Sequence, residues 1–294
     1  MRRSHRFLTA LAVSSAVLVP TAGVGHAQRR LPIHTMPTRA AAPAHLSAAQ
    51  SVMKYYGGAV MTGHVNVYVV WYGNWPTASS RRKILTDFLQ HVPSPYWAIN
   101  QTYPNAAGKT VANDISLAGQ TDDRYSVGAR QLTDDQIASV VSKAVHSKVL
   151  PKDTHGVYLV LTSADVTKAG FLTQYCGWHS YDTIEGSTLK FSFIGDPSGP
   201  KVRLCSAANG SPNRDPGADA MASTIAHELD EAVTDPTMRG WHTTTGEENA
   251  DRCAWQFGAV RSVAGQPTNM TLGSRNYLIQ ANWVNSSKPH CGLS

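Results

Sequence analysis

Glutamate is scarce in this 294-residue chain: only Glu185, Glu228, Glu231, Glu247 and Glu248 occur, and four of them fall between Ser223 and Cys253. A solvated helix surface uses glutamate freely, so acid rationed this tightly points to a local task. Cysteine is sparse too. Cys176, Cys205, Cys253 and Cys291 are well separated and form no C-x-x-C pair, which argues against a four-thiolate zinc site. In an exported chain an even number of cysteines reads as two disulfides. Spacing leaves all pairings open, with nearest neighbours, Cys176 with Cys205 and Cys253 with Cys291, preferred. There is no G-x-S-x-G elbow and no P-loop, so those nucleophile and phosphate-cradling chemistries have no foothold.

Long apolar runs are also missing. The longest, Phe7 to Val19, is broken by Thr9, Ser14 and Ser15 and is shorter than the roughly 20 residues a membrane span needs. Arg2, Arg3 and Arg6 precede it and small residues around Gly25 and Ala27 follow, the order of a secretory signal peptide. The expectation is therefore cleavage after Ala27, a secreted, extracellular protein and no stable membrane insertion thereafter. Losing residues 1–27 removes three arginines and no acid, so the formal charge falls from +6 to +3. Clustered basic charge is absent as well: the longest basic run is Arg81-Arg82-Lys83, which one solvated helix turn explains, so no nucleic-acid partner is expected.

Residues 28–54 are rich in Ala and Pro and lack a repeating apolar face; that composition reads as a flexible leader. Residues 55–294 suffice for one domain. Within it, Val65 to Trp71 reads as a central strand, and Ser79 to Val92 as a helix burying Ile84, Leu85, Phe88 and Leu89. One or two short strands fall between Thr110 and Leu117. Thr133-Asp134-Asp135-Gln136 is a capping box opening a helix with Ile137, Val140, Val141 and Val145 on one face. His155 to Thr162 and Lys190 to Ile194 read as further strands, Gln174 to Asp182 as a loop or short strand, residues 197–218 as a loop held by Cys205, and Arg275 to Val284 as a last strand. The class expected is α/β or α+β, a single mixed-sheet domain.

The glutamate-rich window contains H-E-L-D-E-A-V-T-D-P and then G-E-E-N-A-D-R-C. On a helix over about Asp219 to Thr234, His227 and Glu231 lie about 40° apart, while Ile225, Leu229 and Ala232 occupy the opposite face. That arrangement presents an imidazole and a carboxylate to a cleft and packs its other side into the core. It is the H-E-x-x-H zinc-protease helix with glutamate in place of the second histidine, and both donor types bind Zn2+. Asp251, Glu248 and His179 are the alternatives for a further ligand. Glu228 would then be the general base acting on a metal-bound water, and peptide bonds the target. Asp235 reads as a helix-ending residue before Pro236, and Trp241 and Trp255 as packing aromatics.

Several stretches together resemble the phosphate-induced protein 1, or EXORDIUM, family: Tyr55-Tyr56-Gly57-Gly58-Ala59-Val60-Met61, N-V-Y-V-V-W-Y-G-N-W, L-T-S-A-D-V, C-G-W-H, the H-E-L-D-E-A-V-T-D-P helix, E-N-A-D-R-C and the terminal L-I-Q-A-N-W. The resemblance covers about Tyr55 to Cys291. It implies an extracellular protein connected with growth and cell-wall responses, and it carries the family's His-Glu-x-x-Glu positions onto His227, Glu228 and Glu231. The Glu-x-x-Asp-x-Cys element falls on Glu248, Asp251 and Cys253, and the Cys-Gly-aromatic-His element on Cys176 and His179. The chain departs in having Thr234-Asp235-Pro236 where plant members tend to have Ser-Asn-Pro, and in lacking their Gly-rich insert. Two functional expectations follow. One is a zincin-like metallohydrolase, which requires an open coordination position. The other is a non-catalytic extracellular protein binding cell-wall material, with the same residues in a structural metal or hydrogen-bonded site closed by protein groups.

Overall fold

The central parallel strands of the sheet are apolar on both faces. Gly63–Tyr72 (β2) and Gly156–Thr162 (β4) are almost wholly buried, as strands covered on both sides must be. The structure is a computed structural model that describes residues 31–42, 52–207 and 210–294; the expected signal peptide, residues 1–27, lies outside the described residues. The remaining sheet strands are Ile33–Pro37 (β1), Val111–Asp123 (β3), Tyr175–Ile184 (β5) and Ser187–Gly195 (β6). The order is β1-β5-β6-β4-β2-β3. β6, β4, β2 and β3 run parallel, whereas β5 is antiparallel to both β6 and β1. The fold is thus a mixed α/β domain, and the described residues belong to one unit from Leu31 to Ser294.

Helices Ser80–Gln90 (α1) and Pro216–Thr234 (α3) cover one face, and Asp134–His146 (α2) covers the other. Period-2 alternation divides the strands between the two cores: Val67, Val69 and Trp71 pack toward α1 and α3, while Tyr68, Val70 and Tyr72 pack toward α2. α1 buries the four residues expected of it. α2 opens on the anticipated capping box, with Thr133 Oγ1 accepting from the Gln136 amide at 3.2 Å and Gln136 Oε1 accepting from the Thr133 amide at 2.9 Å. Disulfides join Cys176 to Cys205 and Cys253 to Cys291, the nearest-neighbour pairing. Among the described residues no helix is long and apolar enough to cross a membrane.

Several sequence expectations require correction. The short strands expected between Thr110 and Leu117 are one thirteen-residue strand, β3, because pairing with β2 carries polar residues along a half-exposed sheet edge. All of the stretch Gln174 to Asp182 but Gln174 lies in the ten-residue β5, held on both sides. The last expected strand is two three-residue pieces, Arg275–Tyr277 and Asn282–Val284, each in its own two-stranded pairing. The largest correction concerns the proposed leader. Ile33–Pro37 is an ordered edge strand of the main sheet, because β5 offers it a row of backbone partners that local composition does not reveal.

Candidate metal centre

α3 is fixed at both ends. Asp215 caps its start, accepting from the Ala218 amide at 3.1 Å, with Pro216 in the first turn. Asp235 ends it, as expected, and its Oδ1 accepts from the amides of Arg239 and Gly240, each at 2.5 Å. That turn sends the chain back over the helix. The returning segment reaches the short turn Asp251–Cys253, anchored by the disulfide to Cys291, and the Asp251 amide donates to Glu231 Oε1 at 3.1 Å. On its other side the helix approaches β5 where Gly177 leaves room. A Cβ there would stand 2.6 Å from Thr224 Cγ2 and 3.1 Å from Glu228 Oε1.

These contacts bury the helix all round: every residue from Gly217 to Thr234 is buried. The expectation of a donor face open to a cleft is overturned, since the 241–253 segment and the sheet edge cover that face. The expected site residues do converge. His227 Nε2 is 3.1 Å from Glu231 Oε1 and 3.5 Å from Asp251 Oδ1. His179 Nε2 is 3.6 Å from Glu231 Oε2 and 3.3 Å from Glu248 Oε2. Glu228 is completely buried, its Oε1 facing the Met36 amide at 3.4 Å.

One member had no signal in the sequence. His34, on β1, pairs in register with His179, so both imidazoles point toward α3. His34 Nε2 lies 2.5 Å from Asp251 Oδ2, and Nδ1 lies 3.5 Å from Glu248 Oε1. The only hint was a strand-length segment, I-H-T-M, between Pro32 and Pro37; a lone histidine in an Ala/Pro-rich stretch carries no spacing from which a ligand could be read.

The electrostatics follow from burial and proximity. Burial pulls His34 down, but Glu248, Asp251 and Glu231 outweigh it and hold the imidazole well above its usual value. Burial, then the neighbouring His34 and His227, push His179 well below, leaving it in the neutral form that binds metals. Burial raises Glu248 and Glu228 strongly. It also opposes ionisation of Asp251, yet His34 and His227 hold that carboxyl well below the usual range. For His227, burial lowers the value, and Glu231 and Asp251 override it upward. Its hydrogen bonds oppose a second proton. Gln280 Oε1 accepts from the Trp255 amide at 3.0 Å and its Nε2 donates to Ala250 O at 2.9 Å, so the other amide hydrogen points at His227 Nδ1, 3.0 Å away. The pinned amide makes Nδ1 an acceptor and puts the ring proton on Nε2.

This network bears on which groups could hold a metal. His179 Nε2, His227 Nε2, Glu231 Oε2, Glu248 Oε2 and Asp251 Oδ1 are buried without a hydrogen-bond partner, and orphaned buried atoms aimed at one another are the mark of a missing ligand. Two triads have donor atoms within 4.8 Å of one another: His34, Glu231 and Asp251, and His179, Glu231 and Glu248. Both share Glu231. His227 belongs to neither. Carboxylate and imidazole donors of this kind fit a divalent cation.

The comparisons with known proteins agree with the sequence resemblance. Residues 53–291 match the family described as the phosphate-induced protein 1 conserved region. Protein EXORDIUM-like 3 of Arabidopsis thaliana is 30% identical over 275 residues, covering 79% of this chain and 80% of its own length. Protein EXORDIUM-like 5 of the same plant is 30% identical, covering 79% and 75%. Protein PHOSPHATE-INDUCED 1 of Nicotiana tabacum is 27% identical, covering 73% and 76%. The matched region contains α3, β5 and every expected residue of the centre, and on that match the chain belongs to the phosphate-induced protein 1 family.

Proposed function

We propose that this is a secreted, non-catalytic extracellular binding protein, in which the acid–histidine centre holds a structural divalent ion such as Zn2+. The observation that carries the reading is enclosure. Glu231 and Glu228 have no exposed surface and His227 and His179 about 1% each, whereas hydrolysis needs a position open to water and substrate. A cavity of about 270 Å3 beside the centre is lined by His34 and Asp251 but by none of the centre's other residues. Glu228, expected from the sequence to be a general base, is buried at the Met36 amide. Its contacts suit the support of β1.

In this reading the zincin-like placing of α3 beneath the sheet edge positions donors instead of a nucleophilic water. His34, His179, Glu231, Glu248 and Asp251 would hold the ion, which would supply positive charge to the orphaned carboxylate oxygens. His227 positions Glu231 and Asp251. Export is supported by the two disulfides, and the extracellular role by the family resemblance, with cell-wall material or a surface protein as the partner.

The test is metal analysis of the purified protein beside Glu231→Ala, with a peptidase screen of the same samples. About one divalent ion per chain, lost in the variant, and no turnover are expected. Peptide turnover abolished by Glu228→Gln in a folded protein would sink the non-catalytic reading. Failure to retain or rebind any metal would leave the centre as a hydrogen-bonded cluster.

A further inference from the structure

The strand that closes the centre lies outside residues 53–291, the part of the chain that matches the family. The family match begins at residue 53, and β1 ends at Pro37. The walls around β1 come from within the match: the edge of β5 on one side and the 243–251 segment on the other. Without β1, the outer edge of β5 would be a bare row of backbone donors and acceptors beside a charged centre, the form of edge that accepts an added strand.

We propose that this channel is a peptide-binding groove that takes an extended segment of another protein by antiparallel addition to β5, and that residues 31–42 fill it as an intramolecular stand-in. The contacts of the stand-in define the partner. Its backbone follows β5 from Ile33 opposite Ser180 to Met36 opposite Gly177. The groove continues to grip the chain beyond the strand, through the Thr38 amide on Gln174 O and the Arg39 amide on Leu204 O, both 3.0 Å. Three side chains are read. The imidazole of His34 enters between Asp251 and Glu248. Two residues on, Met36 is fully buried against the Cys176–Cys205 disulfide. Three further on, the Arg39 guanidinium lies over the Trp255 ring, 5.4 Å from its centroid, a cation–π contact. The partner is therefore an extended peptide carrying histidine, an apolar side chain at the second position after it and a cation at the fifth.

The stand-in is suited to exchange. Of the five residues of β1 only Met36 is buried, and prolines at 32 and 37 bracket the strand, so the groove holds it more than its own propensity does. The cavity of about 270 Å3 runs beside Thr35, Thr245 and Glu247, leaving space for a side chain larger than threonine at that position. The inference names the partner class of the non-catalytic reading and rests on it, while the backbone pairing with β5 and the Met36 and Arg39 contacts do not depend on the metal.

The test uses the full chain and a fluorescein-labelled peptide copying residues 31–42, followed by fluorescence anisotropy. In the wild type the tethered segment competes at an effective concentration of about millimolar, so binding is weak. Met36→Ala loosens the tethered strand and is expected to bind the labelled peptide about tenfold or more tightly than wild type. Arg39→Ala, at a surface position whose loss cannot unfold the core, is expected to shift affinity the same way by a smaller factor. Replacing the peptide's histidine by alanine should weaken binding about tenfold or more, as loss of a side chain seated between two carboxylates does. The proposal is overturned if neither folded variant binds the peptide, or if the histidine-free peptide binds equally well. A wild-type dimer in light scattering that the peptide converts to monomer would also overturn it, by making a second copy the occupant. Binding followed by cleavage of the peptide would support the groove while defeating the non-catalytic reading.

Discussion

Asp230 and Glu231 are neighbours on one helix, both completely buried, yet they sit in opposite situations. Asp230 is complete: Oδ2 accepts from Tyr96 OH and Oδ1 from Asn100 Nδ2, each at 2.7 Å. With burial raising it and those bonds lowering it, the carboxyl ends at about 7. Glu231 accepts the Asp251 amide on one oxygen and leaves the other without a hydrogen-bond partner, near two imidazoles. A turn of about 100° separates a carboxylate finished by the protein from one left for something else. The lesson is that burial alone does not mark a functional acid; several unpartnered polar atoms converging on one point do.

The same contrast holds farther away. Arg81 bridges Asp196 and Asp215, with Ser198 as a further partner, and so satisfies the acids that tie α1 to the start of α3 and the end of β6. That junction sets two carboxylates around one guanidinium, all of them hydrogen-bonded, and has a structural account. The acid–histidine centre has more acids than cations and keeps orphaned atoms.

The comparison can be broken most directly at Glu231. Glu231→Ala should cost about 3–5 kcal/mol, as removal of one member of a buried charged set does, lowering the melting temperature by roughly 10 °C and abolishing metal retention. Chelation is the next largest effect. Stripping a site that is saturated a hundredfold above its dissociation constant removes about 3 kcal/mol, so EDTA should lower the wild-type melting temperature by roughly 5–10 °C. It should leave Glu231→Ala unmoved; an equal shift in both would show that the ion binds elsewhere.

Gly177→Ala addresses the packing that brings α3 to β5. The added carbon meets Thr224 at 2.6 Å and backbone Phe193 O at 2.9 Å, so a loss of about 1–3 kcal/mol is expected, measured by urea unfolding. Lys190 tests whether a buried charge away from the centre behaves ordinarily. Burial lowers its ammonium to about 8, with Asp153 opposing. The native state therefore binds fewer protons than the unfolded chain between pH 8 and the ordinary lysine value, and stability should rise with pH across that window. The gain should be on the order of 1 kcal/mol after discounting the solvated part, and Lys190→Met should flatten it. The smallest effect is expected at Asp230. Because its carboxyl is near half-neutral at pH 7, Asp230→Asn should change stability by less than about 1 kcal/mol and leave the metal content unchanged. Loss of metal in that variant would erase the distinction between the two acids.

Much of the architecture was legible because it rests on local patterns. Val65–Trp71 is β-branched and aromatic, and it is a central strand; Thr133 and Gln136 sit three apart, and they form the cap. The disulfides follow the nearest-neighbour order. His227, Glu231, Glu248 and Asp251 were legible from helical spacing and the clustering of acids, and His179 as an alternative in the C-G-W-H stretch. His34 was not, because its place depends on register with His179 across 145 positions of chain, a long-range pairing that no window of sequence contains. The enclosure of α3 escaped for a similar reason. Helical periodicity says which residues share a face, but not what lies over that face.

The sequence by itself determined the helix that carries His227, Glu228 and Glu231, the donor chemistry of the window around it, and the family to which the chain is similar. Only the tertiary structure decided that the donors on α3 are shut away from solvent and that β1 supplies His34. It also decided that Gln280, held by Trp255 and Ala250, aims an amide hydrogen at His227 Nδ1. The physical reason is that side-chain type and spacing are local properties of the chain, whereas solvent access, proton placement and strand pairing are settled by groups that only folding brings together.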